Sequence, residues 1–191
     1  MSERRAQSWP MRVFGLLSRI NYAIALIGGV VLLATVIFIL VDIFLRQFAD
    51  RGLGGSDEIS GYVIAGVAAW GFSYALVERA HVRIDVLTGQ LPAASRAIFD
   101  LAAAASLTFV AALVTSYGWR VFHRSWETGS RANTPLETPL WIPQSIWLAG
   151  WAWLTVVAAM VSICIIALML MQRFDTVQSV GGIGSEVEEE V

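Results

Sequence analysis

The chain has 191 residues, of which 57% are hydrophobic and only 15% charged, where a soluble domain carries about 25% charged residues. Its net charge of -2 arises from thirteen basic residues, every one an Arg, against fifteen acidic ones. Such a composition leaves no room for a separate soluble domain of ordinary size beside the apolar stretches. Its single cysteine, Cys164, excludes an intramolecular disulfide and a CxxC metal site.

Four stretches hold no charged residue: 20–41, 59–77, 101–119 and 138–172. Each is longer than the roughly 18 apolar residues that mark a membrane-spanning helix. The expected fold class is therefore an all-α integral membrane protein with four transmembrane helices, spanning about 21–44, 58–77, 98–119 and 143–171. A membrane domain over 20–172 is flanked by a basic segment, 1–19, and an acidic tail, 173–191. The flanking Arg residues set orientation. With the N-terminus inside, the cytoplasmic flanks hold eight Arg and the opposite side five. Both termini are expected in the cytoplasm.

In chain order, Arg5, Arg12 and Arg19 recur every seven residues, so they share a helix face, with Val13, Phe14, Leu17 and Ile20 opposite. This segment reads either as an amphipathic helix on an anionic membrane surface or as an extension of the first span. The apolar run that follows has 22 residues, too long for a signal-peptide core of about 7–15 residues, so it is expected to be an uncleaved span. Asp42 lies near its far end with Arg46 four residues on, the favourable order for an ion pair. The glycine-rich 50–55 reads as a turn, and Ser56 as the N-cap of the second helix, with Glu58 in its first turn.

The second span places Gly61, Ala65, Ala69 and Ser73 at every fourth position, a stripe that lets another helix approach closely. A polar turn follows, with His81, Arg83 and Asp85. Pro92 is expected to start the third helix, which Arg120, Arg124, Glu127 and Arg131 extend beyond the lipid, with Glu127 and Arg131 paired. Pro135, Pro139 and Pro143 forbid a regular helix across 133–143. Six of the eight tryptophans fall between Trp119 and Trp153, which places that segment at a membrane–water boundary. The tail, with Glu186, Glu188, Glu189 and Glu190, reads as disordered.

No catalytic constellation is legible, and no cofactor is expected. The only histidines, His81 and His123, lie outside the spans, where they cannot clamp an intramembrane haem. There is no P-loop for an ATP-driven pump. Asp42 and Asp100 sit near span ends, as interface residues or ion-pair partners. On residues alone the chain reads as an accessory subunit. The alternatives are a stand-alone oligomeric carrier that uses Asp42 or Asp100, and a membrane anchor of a redox complex.

Glu58 opens the second span, Gly71 follows thirteen residues later, and His81-Val82-Arg83-Ile84-Asp85 then leads to Leu91-Pro92. Pro139, Trp141 and Pro143 precede the last span. Together with the four-span layout, these residues resemble the small membrane subunit, DctQ type, of tripartite ATP-independent periplasmic (TRAP) transporters. Where that family often carries a mid-helix Trp, this chain has Gly66, with Trp70 one turn later. The resemblance implies a small permease subunit of a secondary active importer in the bacterial inner membrane. It would brace a large multi-span subunit, help dock a periplasmic substrate-binding protein, and have no nucleic-acid partner. The cargo would be an organic acid, with sodium coupling implied by the family. His81, Arg83 and Asp85 then read either as a solvated turn or as an anchor on the large subunit, with Gly61, Ala65 and Ala69 as further interface residues. Glu58 reads as a helix-terminal acid or a docking contact. Pro139, Trp141 and Pro143 read as a loop stop and interface anchor or, with Arg124 and Arg131, as a docking surface for the binding protein.

Overall fold

The computed structural model describes residues 9–78, 92–174, 176 and 177. These form four helices: α1 Trp9–Ala49, α2 Ser56–Val77, α3 Ala93–Glu127 and α4 Trp141–Leu170. All four are long and apolar enough to cross a membrane. In lipid no water satisfies a bare peptide group, so uninterrupted apolar stretches of this length become helices.

α1 is one helix of 41 residues, about 62 Å at 1.5 Å per residue. Residues 9–19 thus continue the first helix without a break rather than forming a separate surface helix. Pro10 is tolerated because the first-turn N–H groups have no partner within the helix. Pro92 immediately precedes α3 in extended backbone, φ −56° and ψ 150°, as the sequence suggested. α3 runs past the lipid-length core to Glu127. Gly129, at φ +60°, then turns the chain away.

The helices pack mainly as a row, α1 on α2, α2 on α4, and α4 on α3, with a smaller contact between α1 and α4. Glycine lets the helices approach at each seam. A β-carbon on Gly28 of α1 would lie 3.3 Å from Val67 of α2, and one on Gly66 of α2 would lie 3.3 Å from Ile146 of α4. One on Gly150 of α4 would sit 2.9 Å from the Ala69 backbone, and one on Gly118 of α3 3.0 Å from Leu148. Small residues at such seams give close van der Waals packing, the main attraction between helices in lipid.

Polar bonds reinforce the seams. The Trp70 indole N–H donates to the Ile146 carbonyl at 3.0 Å. Hydroxyl pairs join α3 to α4, Thr115 with Thr155 at 3.1 Å and Thr108 with Ser162 at 3.3 Å. Asn21, 0% exposed, donates to the Leu17 carbonyl at 2.8 Å and accepts from the Trp153 indole at 3.1 Å. The apolar core lies toward one end of the bundle, where Leu17 of α1, Val77 of α2, Ala97 and Ala104 of α3, and Val161, Ile165 and Leu168 of α4 meet. From Tyr22 to Phe48, α1 turns large apolar side chains outward, and within that stretch only Thr35 and Asp42 are buried.

Candidate functional site

The opposite end collects the end of α1, the start of α2, the end of α3 and the start of α4. Two carboxylates organise it. Asp42, 1% exposed, accepts from the Leu53 backbone N–H at 2.6 Å and from the Ser56 hydroxyl at 2.7 Å. It pairs with Arg46 at 2.5 Å, as the i,i+4 spacing suggested, and Arg46 also donates to the Ser56 hydroxyl at 3.0 Å. Ser56 is therefore not the N-cap of α2. Gly55 holds that position at φ +74° with no side-chain cap, and Ser56 instead turns its hydroxyl toward α1. The whole set closes the α1–α2 turn, so Asp42 spends its lone pairs on its own chain.

Glu58 does the same in the first turn of α2. One carboxylate oxygen accepts from the Tyr62 hydroxyl at 2.9 Å. The other accepts from the Thr134 hydroxyl, and Thr138 faces the same carboxylate. Thr134 and Thr138 belong to a short hairpin between α3 and α4, built on a bridge between Arg131 and Pro139. Its bonds run from Ala132 N–H to the Thr138 carbonyl at 2.9 Å, from Leu140 N–H to Ser130 at 3.0 Å, and from Glu137 N–H to Thr134 at 3.0 Å. Pro135 and Pro139 keep this segment out of a helix and permit a pinned hairpin, whereas Pro143 sits in the first turn of α4. Thr134 went unnoticed in the sequence because a threonine beside a proline carries no signal of a partner 76 residues away.

The expected Glu127–Arg131 pair does not form. α3 ends at Glu127, so the helical four-residue spacing is lost. Glu127 instead pairs with His123 at 3.3 Å, while Arg131 donates to the Glu137 carbonyl at 3.3 Å. Arg124 and Arg131 are exposed at this end, and Pro139, Trp141 and Pro143 are half-buried. Trp141 packs edge-on against Trp126, ring centroids 4.9 Å apart, so the tryptophan cluster of this end is partly stapled to itself.

The stripe on α2 divides. Gly61 and Ala65 face outward, whereas Ala69 is 0% exposed because it meets Gly150 of α4. Gly66 and Trp70, where the chain departs from the family pattern, act together: the glycine leaves room for Ile146 and the indole one turn on bonds the carbonyl of that same residue. His81, Arg83, Asp85 and the acidic tail from 178 onward lie outside the described residues. Asp100 is 6% exposed near the start of α3. Among the described residues no three His, Cys, Asp or Glu side chains converge as a metal site would require. A groove of about 690 Å³ runs between α1, α2 and the start of α4, lined by Gly28, Leu32, Val67, Trp70, Pro143 and Ile146. Its walls are nearly all apolar, unsuited to a charged solute.

Four helices of membrane-crossing length, with Asp42 and Glu58 engaged by groups of the same chain, define a multi-pass membrane protein. Residues 35–170 match the family described as tripartite ATP-independent periplasmic transporters, DctQ component. The match covers more than two thirds of the chain, and the protein belongs to that family. No curated protein and no solved structure gives a match. The chain is therefore a small permease subunit of a TRAP transporter, a multi-pass membrane protein and a transporter component rather than an enzyme. Family membership implies a large membrane subunit and a substrate-binding protein as partners.

Proposed function

We propose that this subunit braces the large transport subunit and offers its hairpin end to the periplasmic substrate-binding protein. The observation that carries the bracing role is the use of Asp42 and Glu58. Both carboxylates lie at the edge of the spans, and both are engaged by groups of the same chain. A coupling carboxylate in a carrier must exchange its partners during the cycle, whereas these close turns. This disfavours a stand-alone carrier that works through Asp42.

The placement is the bacterial inner membrane with both termini in the cytoplasm, supported by the eight-to-five bias of flanking Arg. The hairpin end then faces the periplasm. There the exposed Arg124 and Arg131 are cations available to acidic patches of the binding protein, and Gly61 and Ala65 are small outward residues for a helix of the large subunit. His81, Arg83 and Asp85 would anchor the large subunit at the other end. The basic segment and acidic tail, 1–19 and 173–191, remain assigned to the cytoplasm. For the cargo we infer an organic acid taken up with sodium, a reading that rests on the family resemblance alone.

Affinity purification of the tagged chain from mild detergent tests the bracing role. A stoichiometric large multi-span partner is the expected result, and a lone homo-oligomer would overturn it. His81→Ala or Asp85→Ala should weaken that co-purification while the small subunit still inserts. Docking is tested by Arg124→Glu, which should lower the affinity for the binding protein and flatten its salt dependence. Unaltered affinity and salt dependence would remove Arg124 from the docking surface.

A further inference from the structure

The hairpin between α3 and α4 is held to the start of α2 by Thr134, Leu136 and Thr138, the last of which also hydrogen-bonds the Glu58 carboxylate. The Thr134 hydroxyl donates to the Glu58 carboxylate. Two residues on, the Leu136 side chain lies over Gly55, where a β-carbon would run into it. Thr134 and Leu136 belong to one tight turn, closed by the Glu137 N–H to Thr134 carbonyl bond of 3.0 Å. The arginine that faces outward from the hairpin, Arg131, is tied into the same turn through the Glu137 carbonyl at 3.3 Å. Outside these contacts the tip is open, with residues 133–137 all exposed and Leu136 at 44%. The tip's position over α2 therefore depends on few bonds, and the charged hydrogen bond is the strongest kind among them.

We propose that Thr134 is a positioning residue for docking. Its bond to Glu58, together with Thr138 on the same carboxylate and Leu136 seated on Gly55, holds the 130–140 hairpin and Arg131 in the one arrangement that the substrate-binding protein recognises. This rests on the docking reading above and deepens it: Glu58 acts from beneath the surface, through Thr134, rather than by touching the partner. A pre-set hairpin spares the encounter the entropy of ordering it.

The test uses the complete transporter in proteoliposomes, with uptake measured against the concentration of binding protein. Thr134→Val keeps the shape and removes the donor. The expected result is a roughly 3- to 10-fold rise in the half-saturating concentration, the equivalent of one ordinary hydrogen bond because Thr138 still holds the Glu58 carboxylate, with the maximal rate unchanged. Thr134→Ser, which keeps the hydroxyl, should restore it, and Glu58→Gln should shift the half-saturation point the same way as Thr134→Val. A fall in maximal rate at unchanged half-saturation would overturn the proposal, since a merely structural fault lowers the number of working complexes rather than their affinity. Arg131→Glu separates the two readings. If it shifts half-saturation while Thr134→Val does not, the positioning role fails and docking at this end stands. If neither variant shifts it, docking at this end fails as well.

Discussion

Gly150→Ala adds one methyl at the tightest crossing between α2 and α4. The new carbon would lie 2.9 Å from both the Ala69 carbonyl carbon and the Ala69 β-carbon, and 3.0 Å from Trp70 Cδ1. Carbon atoms pack best at about 3.5–4.0 Å, so each contact falls short by roughly 0.5–1 Å. Two of the three opposing atoms are backbone or β-carbon, which no rotamer change can move. The helices must separate instead, and overpacking of this kind costs about 1–3 kcal/mol. Separation also stretches the Trp70 indole bond to the Ile146 carbonyl, now 3.0 Å, which adds about 0.6 kcal/mol at the membrane average. The assay is reversible unfolding of the detergent-purified chain by SDS, followed by tryptophan fluorescence. We expect destabilisation of about 2–3 kcal/mol. Ala69→Gly should recover part of it, because it removes one of the two rigid contacts and leaves the other. A Gly150→Ala chain within 0.5 kcal/mol of wild type would refute the close crossing, and so would a double variant that is simply additive.

Trp153→Phe removes the donor to Asn21 and leaves a buried carbonyl oxygen without it. The same SDS titration should register a loss of about 0.6 kcal/mol, and at most about 1.7, the range found for polar bonds between membrane helices. Asp42→Asn breaks the ion pair with Arg46, so protease should cut the 50–55 turn faster while uptake by the assembled transporter persists. Abolished uptake with intact assembly would make Asp42 a transport residue. Gly55→Ala forces a β-carbon onto backbone at φ +74° and into Leu136, at a cost of about 1–2 kcal/mol for the left-handed backbone alone. Faster proteolysis within 130–140 is its expected signature, and an unchanged digestion pattern would argue against the Leu136 contact.

The four spans were legible because lipid imposes one rule on every residue alike: twenty or so apolar positions without a charge must be helical. The Asp42–Arg46 pair was legible too, since helix geometry fixes which residues lie four apart, and Pro92 marked the start of α3 for the same local reason. The errors came where local geometry ran out. Glu127 and Arg131 have the right spacing, but the helix ends between them. Ser56 has the composition of a cap, but a glycine took that position because the turn demanded positive φ. Nothing local could show that α2 lies between α1 and α4, that Ala69 is consumed by Gly150 while Gly61 and Ala65 stay outside, or that Thr134 reaches Glu58. The sequence by itself determined the class of protein, because hydropathy and length are sums over neighbours in the chain. The row of helices and the pinned hairpin were decided only by tertiary structure, because they depend on which small residues face one another across a seam, and sequence distance carries no record of that.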